Sequence, residues 1–327
     1  MRHVSTFALA SLVSVATLVS SCSLRSTPVA PLADGGTGPS STSHVGPTTV
    51  DASVRPRLFV VQPTVGVLVY KQSGTNQQPI KTLTSGLQQP EGVSVDTNGD
   101  LYVTNFRGQS VSVFRRGATT PYKTLSDPNE VPGNGVVDST GTVYVCNYEE
   151  VNGGNPGPPG SVSVYAGGAT SPTSTLAAPF GDWVLWCALD DNHNLYVGYT
   201  DNGSNSNVWE FPGASGPGSS LGLKIGFPGQ MAFNSKGNLV VADELNSKAD
   251  TFKLPRKNPV SSIATPSGGT VVGLTLNAKS THLYLADYAT GQVYEYAYPK
   301  GTLIDTITPN GGSGDITGVA ADPAAPL

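Results

Sequence analysis

Residues Pro90 to Leu125 decide the fold, and they read P-E-G-V-S-V-D-T-N-G-D-L-Y-V-T-N-F-R-G-Q-S-V-S-V-F-R-R-G-A-T-T-P-Y-K-T-L. Four short runs alternate apolar and polar residues, as strands do. Asn98-Gly99 lies between the first two runs, and Asn-Gly is a strong hairpin signal because both residues tolerate positive φ. The stretch therefore predicts an antiparallel meander of four strands.

The second strand of this meander recurs along the chain at intervals of 42 to 52 residues. Its copies are Leu58-Phe59-Val60-Val61, Leu101-Tyr102-Val103-Thr104, Val143-Tyr144-Val145-Cys146, Leu195-Tyr196-Val197-Gly198, Leu239-Val240-Val241-Ala242 and Leu283-Tyr284-Leu285-Ala286. A repeat of this length made of short strands is typical of β-propellers. Each sheet has two apolar faces, and stacking the sheets around an axis covers both.

The two ends of the chain complement each other. The strand at Leu58 has no inner strand before it, whereas the last inner strand, Gly318 to Asp322, has nothing after it. A C-terminal strand that completes the N-terminal blade would close the ring and remove its free edges. The sequence therefore predicts an all-β, six-bladed β-propeller, closed in this way, over residues 57–327.

The phrase P-x-G-x-x-x-D…G-x-L-Y-V-x-[ND] at Pro90 to Asn105 resembles the NHL-repeat propellers and the gluconolactonase (SMP-30)-like propellers. Weaker copies extend the resemblance from about Arg57 to the C-terminus. It implies a six-bladed propeller. It does not select an activity, because this fold carries many.

Composition agrees with a turn-rich β protein. The 327 residues include 39 Gly and 26 Pro, and only 13% are charged. The net charge is −5 and no basic cluster occurs, which argues against nucleic acid as a partner.

The N-terminus carries an export signal. A basic start precedes an apolar run from Phe7 to Val19, too short for a comfortable membrane span. It ends in L-V-S-S-C, which resembles a bacterial lipobox with Cys22 as the lipidated residue; an ordinary secretory signal is the alternative. We expect a lipoprotein signal peptide over 1–21, a flexible Ser/Thr/Pro/Gly-rich tether over 22–56, and a protein anchored to the membrane on the periplasmic side or the cell surface.

Two cysteines remain in the propeller, Cys146 at the end of one second strand and Cys187 in the next inner strand. Export permits a disulfide between them. Two separate buried thiols are the alternative.

The candidate binding face is the end of the propeller where the loops between second and third strands lie. Its long loops are Tyr148 to Gly160 and Thr200 to Asn207. Polar and aromatic residues there form a candidate surface for a glycan, peptide or small ligand, and they are Glu91, Asn134, Trp183, Trp186, Phe106, Tyr148, Tyr199 and Tyr288. Aromatic wedges between blades are the alternative for each ring.

Resemblance to the SMP-30-like lactonases implies oxygen ligands for a divalent cation at the residue before the inner-strand glycine. Glu91 and Asn134 match in type, and Asp182 and Asp315 lie nearby in sequence. Two ligands in register are too few for Ca²⁺, which takes six or more oxygens. We therefore predict no cofactor, with Ca²⁺ as the alternative.

The repeated Asp or Asn of the inner-strand turn is interpreted as structural, because it occurs in every blade. His193 and His282 fall at the opposite end from the candidate face. The sequence favours a monomeric binding or scaffolding module at the cell envelope, and a metal-dependent lactonase or hydrolase is the alternative. Whether the protein is an enzyme is left open, with a non-enzymatic role preferred.

Overall fold

The structure is a computed structural model that describes residues 56–322, apart from residues 73, 76, 153–154, 158, 178–182, 201–205, 267 and 310–313. The predicted signal peptide, Cys22 and almost all of the predicted tether lie outside the described residues. Within the described part, the 3₁₀ turns include Pro212–Ala214 and Glu244–Asn246. Neither turn, nor any other described segment, forms a helix long and apolar enough to span a membrane.

The described residues contain 25 strands, numbered here in chain order. They are β1 (Arg57–Gln62), β2 (Gly66–Lys71), β3 (Lys81–Leu83), β4 (Pro90–Val95), β5 (Leu101–Asn105), β6 (Ser110–Phe114), β7 (Lys123–Ser126), β8 (Glu130–Val137), β9 (Val143–Asn152), β10 (Asn155–Gly157), β11 (Ser161–Tyr165), β12 (Ser174–Ala177), β13 (Trp183–Leu189), β14 (Leu195–Thr200), β15 (Ser206–Phe211), β16 (Ser219–Ser220), β17 (Pro228–Phe233), β18 (Leu239–Asp243), β19 (Lys248–Phe252), β20 (Ser261–Ala264), β21 (Val271–Leu276), β22 (His282–Asp287), β23 (Gln292–Ala297), β24 (Thr302–Ile307) and β25 (Gly318–Ala321).

These strands form six antiparallel sheets, which are the blades. Blade 1 has the order β25-β1-β2-β3, blade 2 β4-β5-β6-β7, blade 4 β13-β14-β15-β16, blade 5 β17-β18-β19-β20 and blade 6 β21-β22-β23-β24. Blade 3 has the order β8-β9-β11-β12, and β10 pairs with the end of the long strand β9. The inner strands β25, β4, β8, β13, β17 and β21 contact one another in that order and close a circle. The predicted six-bladed propeller is confirmed.

The C-terminal strand completes the N-terminal blade, as the sequence predicts. β25 pairs antiparallel with β1, with Val319 opposite Val60 and Gly318 opposite Val61. A buried ion pair ties the end of this strand to the next blade, since Nη2 of Arg116 lies 2.9 Å from Oδ2 of Asp322. The end of β25 is thus joined to blade 2 as well as to β1.

The hydrophobic core lies between the blades, because successive strand residues point to opposite faces. In β1, Leu58 and Val60 pack against blade 6, whereas Phe59 and Val61 pack against blade 2. Each of the six blade-to-blade interfaces has a cluster of this kind. Burial on both faces explains why the second strands are almost wholly apolar.

The repeated turn residue has the structural role expected from its recurrence. Oδ1 of Asp96 accepts the backbone N–H groups of Asn98 and Asp100, each at 2.9 Å. Asp138, Asp190, Asn234 and Asn277 accept backbone N–H groups in their own turns in the same way.

Cys146 of β9 and Cys187 of β13 are joined in a disulfide, with their Cα atoms 6.1 Å apart. Of the two alternatives left open by the sequence, the structure contains the cross-link. It connects blade 3 to blade 4, and both half-cystines are buried.

Candidate functional site

The candidate face is at the end of the propeller where each inner strand begins. The backbone N–H of Phe106 donates to Gln89, that of Glu244 to Phe227, and that of Tyr288 to Thr270. Each bond places the residue after a second strand beside the start of its own inner strand. The second-to-third-strand loops and the inner-strand starts therefore share one end, called here the mouth.

The pairing registers show which inner-strand residues are equivalent. Val93 pairs with Val103, and Gly135 pairs with Val145, which is the same position of the second strand. Asn134 is therefore the equivalent of Gly92, and the equivalent of Glu91 is Gly133. The sequence-based register, which put Asn134 at the position of Glu91, was one residue off in this blade because β8 is irregular on both sides of Pro132.

The six inner strands surround a central channel. The residues equivalent to Gly92, one from each inner strand, form a layer that fills it. Three consecutive blades supply large side chains and the three opposite blades supply glycine, in the order Asn134, Trp186, Gln230, Gly273, Gly318 and Gly92. Asn134, Trp186 and Gln230 are all buried. This set of three side chains is called here the plug.

Gln230 connects four inner strands. Its Oε1 accepts the backbone N–H of Leu274 at 3.0 Å and that of Val319 at 3.2 Å. Its Nε2 donates to the backbone oxygen of Val93 at 3.5 Å. The side chain thus crosses from β17 to β21, β25 and β4. It passes Gly273, where an added Cβ would be only 2.8 Å from Cβ of Ala286.

Asn134 is only 1% exposed. Its Nδ2 donates to the backbone oxygen of Cys187 at 3.3 Å. Its Oδ1 is buried and has no hydrogen-bond partner among the described residues. This oxygen lies 2.9 Å from the place a Cβ would take on Gly92, and so it faces the channel side of β4 next to Glu91.

Glu91 stands one residue nearer the mouth than the plug. It is partly exposed, and Oγ1 of Thr317 in blade 1 donates to its backbone oxygen at 2.7 Å. Removal of its side chain from bulk water, together with the charge of Asp315, raises the pKa of Glu91 to about 8.

Glu244 is a mouth residue that sequence reasoning missed. It follows the second strand of blade 5, at the position held by Phe106, Tyr148 and Tyr288 in other blades. An acid at a position that is aromatic in three other blades was the signal that could have found it. Removal of the side chain from water, then the charges of Glu91 and Asp243, raises the pKa of Glu244 to about 8, although a hydrogen bond from Trp186 opposes this rise.

The pKa values of two mouth tyrosines, Tyr148 and Tyr288, are also raised. Desolvation raises the pKa of Tyr148, and the charges of Glu149, Glu244 and Glu91 raise it further. Desolvation also raises the pKa of Tyr288, with contributions from Glu91 and Asp315. The mouth therefore combines phenol groups with two carboxyl groups that interact across it.

Three aromatic rings form a row beside the acids. The ring of Tyr148 stacks on Trp183 with centroids 5.4 Å apart, and Phe106 lies 6.4 Å from Tyr148 on the other side. All three side chains are partly exposed. Such a row offers a flat apolar surface next to charged groups.

The remaining predicted aromatics occupy different places. Trp186 is buried in the core between blades 4 and 5, and it contributes to the mouth by lowering the pKa of Glu244. Tyr288 lies at the mouth of blade 6, next to Glu91 and Asp315 electrostatically. Tyr199 instead packs between blades 3 and 4, edge-on to Trp209 at 5.8 Å, because it occupies the position of Asn105 and not that of Phe106.

The four candidate metal ligands do not form a common set among the described residues. Asp315 accepts hydrogen bonds from Gln62 at 3.0 Å and Thr64 at 2.7 Å. Asn134 belongs to the layer below Glu91, and Asp182 lies outside the described residues. The described part of the chain holds no group of three or more His, Cys, Asp or Glu side chains placed to bind a metal ion.

The two histidines considered in the sequence analysis, His193 and His282, lie away from the mouth. His193 is in a first-to-second-strand turn, 3.2 Å from the hydroxyl of Tyr144. His282 begins β22 and is 2.7 Å from Oε1 of Glu295.

Comparisons with known proteins bear on the fold. The profile of the NHL repeat matches residues 87–114, which lie mainly in blade 2. No curated protein matches the chain. Among solved structures, a chain of the nidogen/laminin complex superposes with a TM-score of 0.65 at 15% identity, over 82% of this chain and 99% of that one.

A second similar structure is a protein of unknown function from Bacteroides caccae, with a TM-score of 0.60 at 13% identity, over 82% of this chain and 99% of that one. At these identities the likeness concerns the fold alone. Together with the six sheets, it confirms the six-bladed β-propeller predicted from the sequence, in which residues 87–114 match the NHL repeat.

Proposed function

We propose that this protein is an exported, lipid-anchored β-propeller that binds a ligand at its mouth and acts as a binding or scaffolding module at the cell envelope. The observation that carries the binding role is the meeting of two acids from different blades, Glu91 and Glu244, beside an aromatic row above a filled channel.

The plug closes the channel below the mouth. Asn134, Trp186 and Gln230 fill the channel below it, so a ligand at the mouth meets a floor of buried side chains. Few polar groups among apolar walls are typical of small-molecule sites. The row of Phe106 and Tyr148 with Trp183 supplies stacking area for the body of a sugar, a peptide side chain or another small ligand.

A propeller of this fold occurs in the nidogen/laminin complex, which is an assembly of proteins. That use supports the class of partner-binding modules in general. It does not select a ligand, since one fold serves many functions. No observation at the mouth favours the metal-dependent hydrolase, so it is retained only as an outcome of the calcium titration below.

Intrinsic fluorescence can test the binding role directly. Of the three tryptophans, Trp183 and Trp186 lie at or just below the mouth, and Trp209 lies in the core. A screen of oligosaccharides, peptides and small molecules should give ligands that change this fluorescence. Their affinity should fall by about tenfold or more in Tyr148→Ala, which is a loss of ~1.4 kcal/mol.

Tyr122→Ala is the matched control, because this exposed tyrosine follows the third strand at the other end of blade 2. It should bind as the wild type does. Ligands whose affinity is unchanged in Tyr148→Ala, or falls equally in Tyr122→Ala, would count against the mouth as the binding site.

The anchor is tested separately. Mass spectrometry of the mature N-terminus should find a diacylated Cys22, and Cys22→Ala should release the protein from the membrane fraction. An unmodified Cys22 in membrane-bound protein would contradict the anchor and would leave the binding role untouched.

A further inference from the structure

Glu91 and Glu244 each interrupt a pattern that the other blades keep. The equivalents of Glu91 are non-ionisable residues in every other blade, namely Gly133, Leu185, Gly229, Val272 and Thr317. The equivalents of Glu244 carry no acid either, and they are Pro63, Phe106, Tyr148, Thr200 and Tyr288. The repeat itself therefore requires neither acid, in contrast to the turn residues that recur in each blade.

The two acids approach the channel from opposite sides. Blades 2 and 5 are three blades apart in a ring of six. Oε1 of Glu244 lies 3.2 Å from the place a Cβ would take on Gly229, and Gly229 is the equivalent of Glu91 in blade 5. The carboxyl group of Glu244 thus occupies in its blade the level that Glu91 occupies in blade 2.

The described surroundings of the pair offer a hydrogen-bond acceptor. Oδ1 of Asn134, which is buried and unpartnered among the described residues, lies 2.9 Å from the place a Cβ would take on Gly92, one residue below Glu91. No Lys, Arg or His side chain among the described residues contributes to the pKa of Glu91 or Glu244. A buried acceptor without a donor is destabilising, so a ligand that donates to it is favoured.

Resting on the proposed binding role of the mouth, we propose that Glu91 and Glu244 hold a protonated amino group, so that the ligand is an organic ammonium compound. An ammonium group has three N–H donors, no acceptor and one positive charge. It complements the amide oxygen of Asn134 and the two carboxyl groups, and its charge favours their ionised form. The ring of Tyr148 beside the pair adds a cation–π surface.

A metal ion suits the same place less well. Ca²⁺ takes six to eight oxygen ligands. The described part of the chain brings together no group of three or more His, Cys, Asp or Glu side chains that could supply them. The carbon chain of an ammonium ligand, in contrast, has the aromatic row of Tyr148 and Trp183 to lie against.

The test is a titration of the full chain with pentylammonium chloride and with its neutral analogue 1-pentanol, read by tryptophan fluorescence and calorimetry. Pentylammonium should bind saturably, at least about tenfold more tightly than 1-pentanol. Glu91→Gln and Glu244→Gln should each weaken pentylammonium binding by about tenfold or more and leave 1-pentanol unchanged.

Asp191→Asn is the charge-matched control, because this exposed acid lies in a turn at the opposite end of blade 4. It should change the affinity by less than about twofold. Melting temperatures of all variants verify that a lost affinity is not a lost fold.

Several results would overturn the ammonium assignment. These are equal affinity for 1-pentanol, no saturable response to pentylammonium, wild-type affinity in both Glu variants, or a Ca²⁺ titration that depends on both acids. If the wider screen yields a neutral ligand sensitive to Tyr148→Ala while pentylammonium fails, the ammonium assignment falls and the binding role stands. If no compound binds, both fall.

Discussion

Glu91 and Glu244 belong to opposite blades of the ring, and the charge of Glu91 contributes to the raised pKa of Glu244. Two acids that are remote in sequence thus form one electrostatic unit at the mouth. Asp315 faces Glu91, and Asp243 lies next to Glu244, so the local charge is acidic on both sides.

The raised pKa values of Glu91 and Glu244 make the free energy of unfolding depend on pH. In the unfolded chain each carboxyl has its ordinary pKa of 4.5, whereas in the folded protein it is about 8. Between these values the unfolded state releases protons that the folded state keeps, so the free energy of unfolding falls as pH rises. Glu91→Gln should therefore raise the melting temperature by several degrees at pH 8.5 and leave it unchanged at pH 4.

Calorimetric melting of Glu91→Gln, Glu244→Gln and Asp191→Asn at both pH values checks this. Asp191→Asn should show no such pH-dependent gain. A melting temperature for Glu91→Gln equal to that of the wild type at pH 8.5 would mean that the acid ionises freely in the folded state.

The plug should be a stability element of the ring. Gln230→Leu approximately conserves the side-chain volume. It removes the oxygen that accepts hydrogen bonds from the N–H groups of Leu274 and Val319. Each buried donor left without a partner costs about 1–3 kcal/mol, so urea unfolding should show a loss of about 2–5 kcal/mol. The exposed Gln78→Leu is the control and should lie within about 0.5 kcal/mol of the wild type.

Two adjacent arginines offer a matched comparison at the closure of the ring. The Arg116 side chain is 15% exposed and pairs with a buried Asp322, whereas Arg115 is 65% exposed in its pair with Asp100. Arg116→Met leaves a buried carboxylate alone and should cost about 3 kcal/mol. Arg115→Met should cost less than about 1 kcal/mol. Equal losses in urea unfolding would show that β25 is not held by this pair.

The disulfide between Cys146 and Cys187 closes a loop with a sequence separation of 41 residues. Chain-entropy reasoning for a loop of that size gives a stabilisation of about 4 kcal/mol. The double variant Cys146→Ala with Cys187→Ala should lose a comparable amount in urea unfolding, and a reducing agent should affect the wild type alone. Free-thiol titration that finds Cys146 and Cys187 unpaired in the native protein would exclude the bond.

The errors in the site prediction have local physical causes. Asn134 was placed one residue off because P-G-N-G contains two glycines and β8 is irregular around Pro132. Tyr199 was placed at the mouth although its strand register gives it the buried position of Asn105, and one residue of register turns a side chain to the other face. Glu244 was overlooked because the sequence does not show which loops face each other.

The sequence alone determined the architecture. The alternation of apolar residues, the Asn-Gly type turns and the period of the repeat each constrain neighbouring residues, and the unmatched first and last strands require closure of the ring. Only the tertiary structure decided the site, because Glu91, Asn134 and Glu244 become neighbours through the packing of six blades around one axis. Burial and the mutual repulsion of the acids then set their protonation, and neither quantity is encoded in any single stretch of the chain.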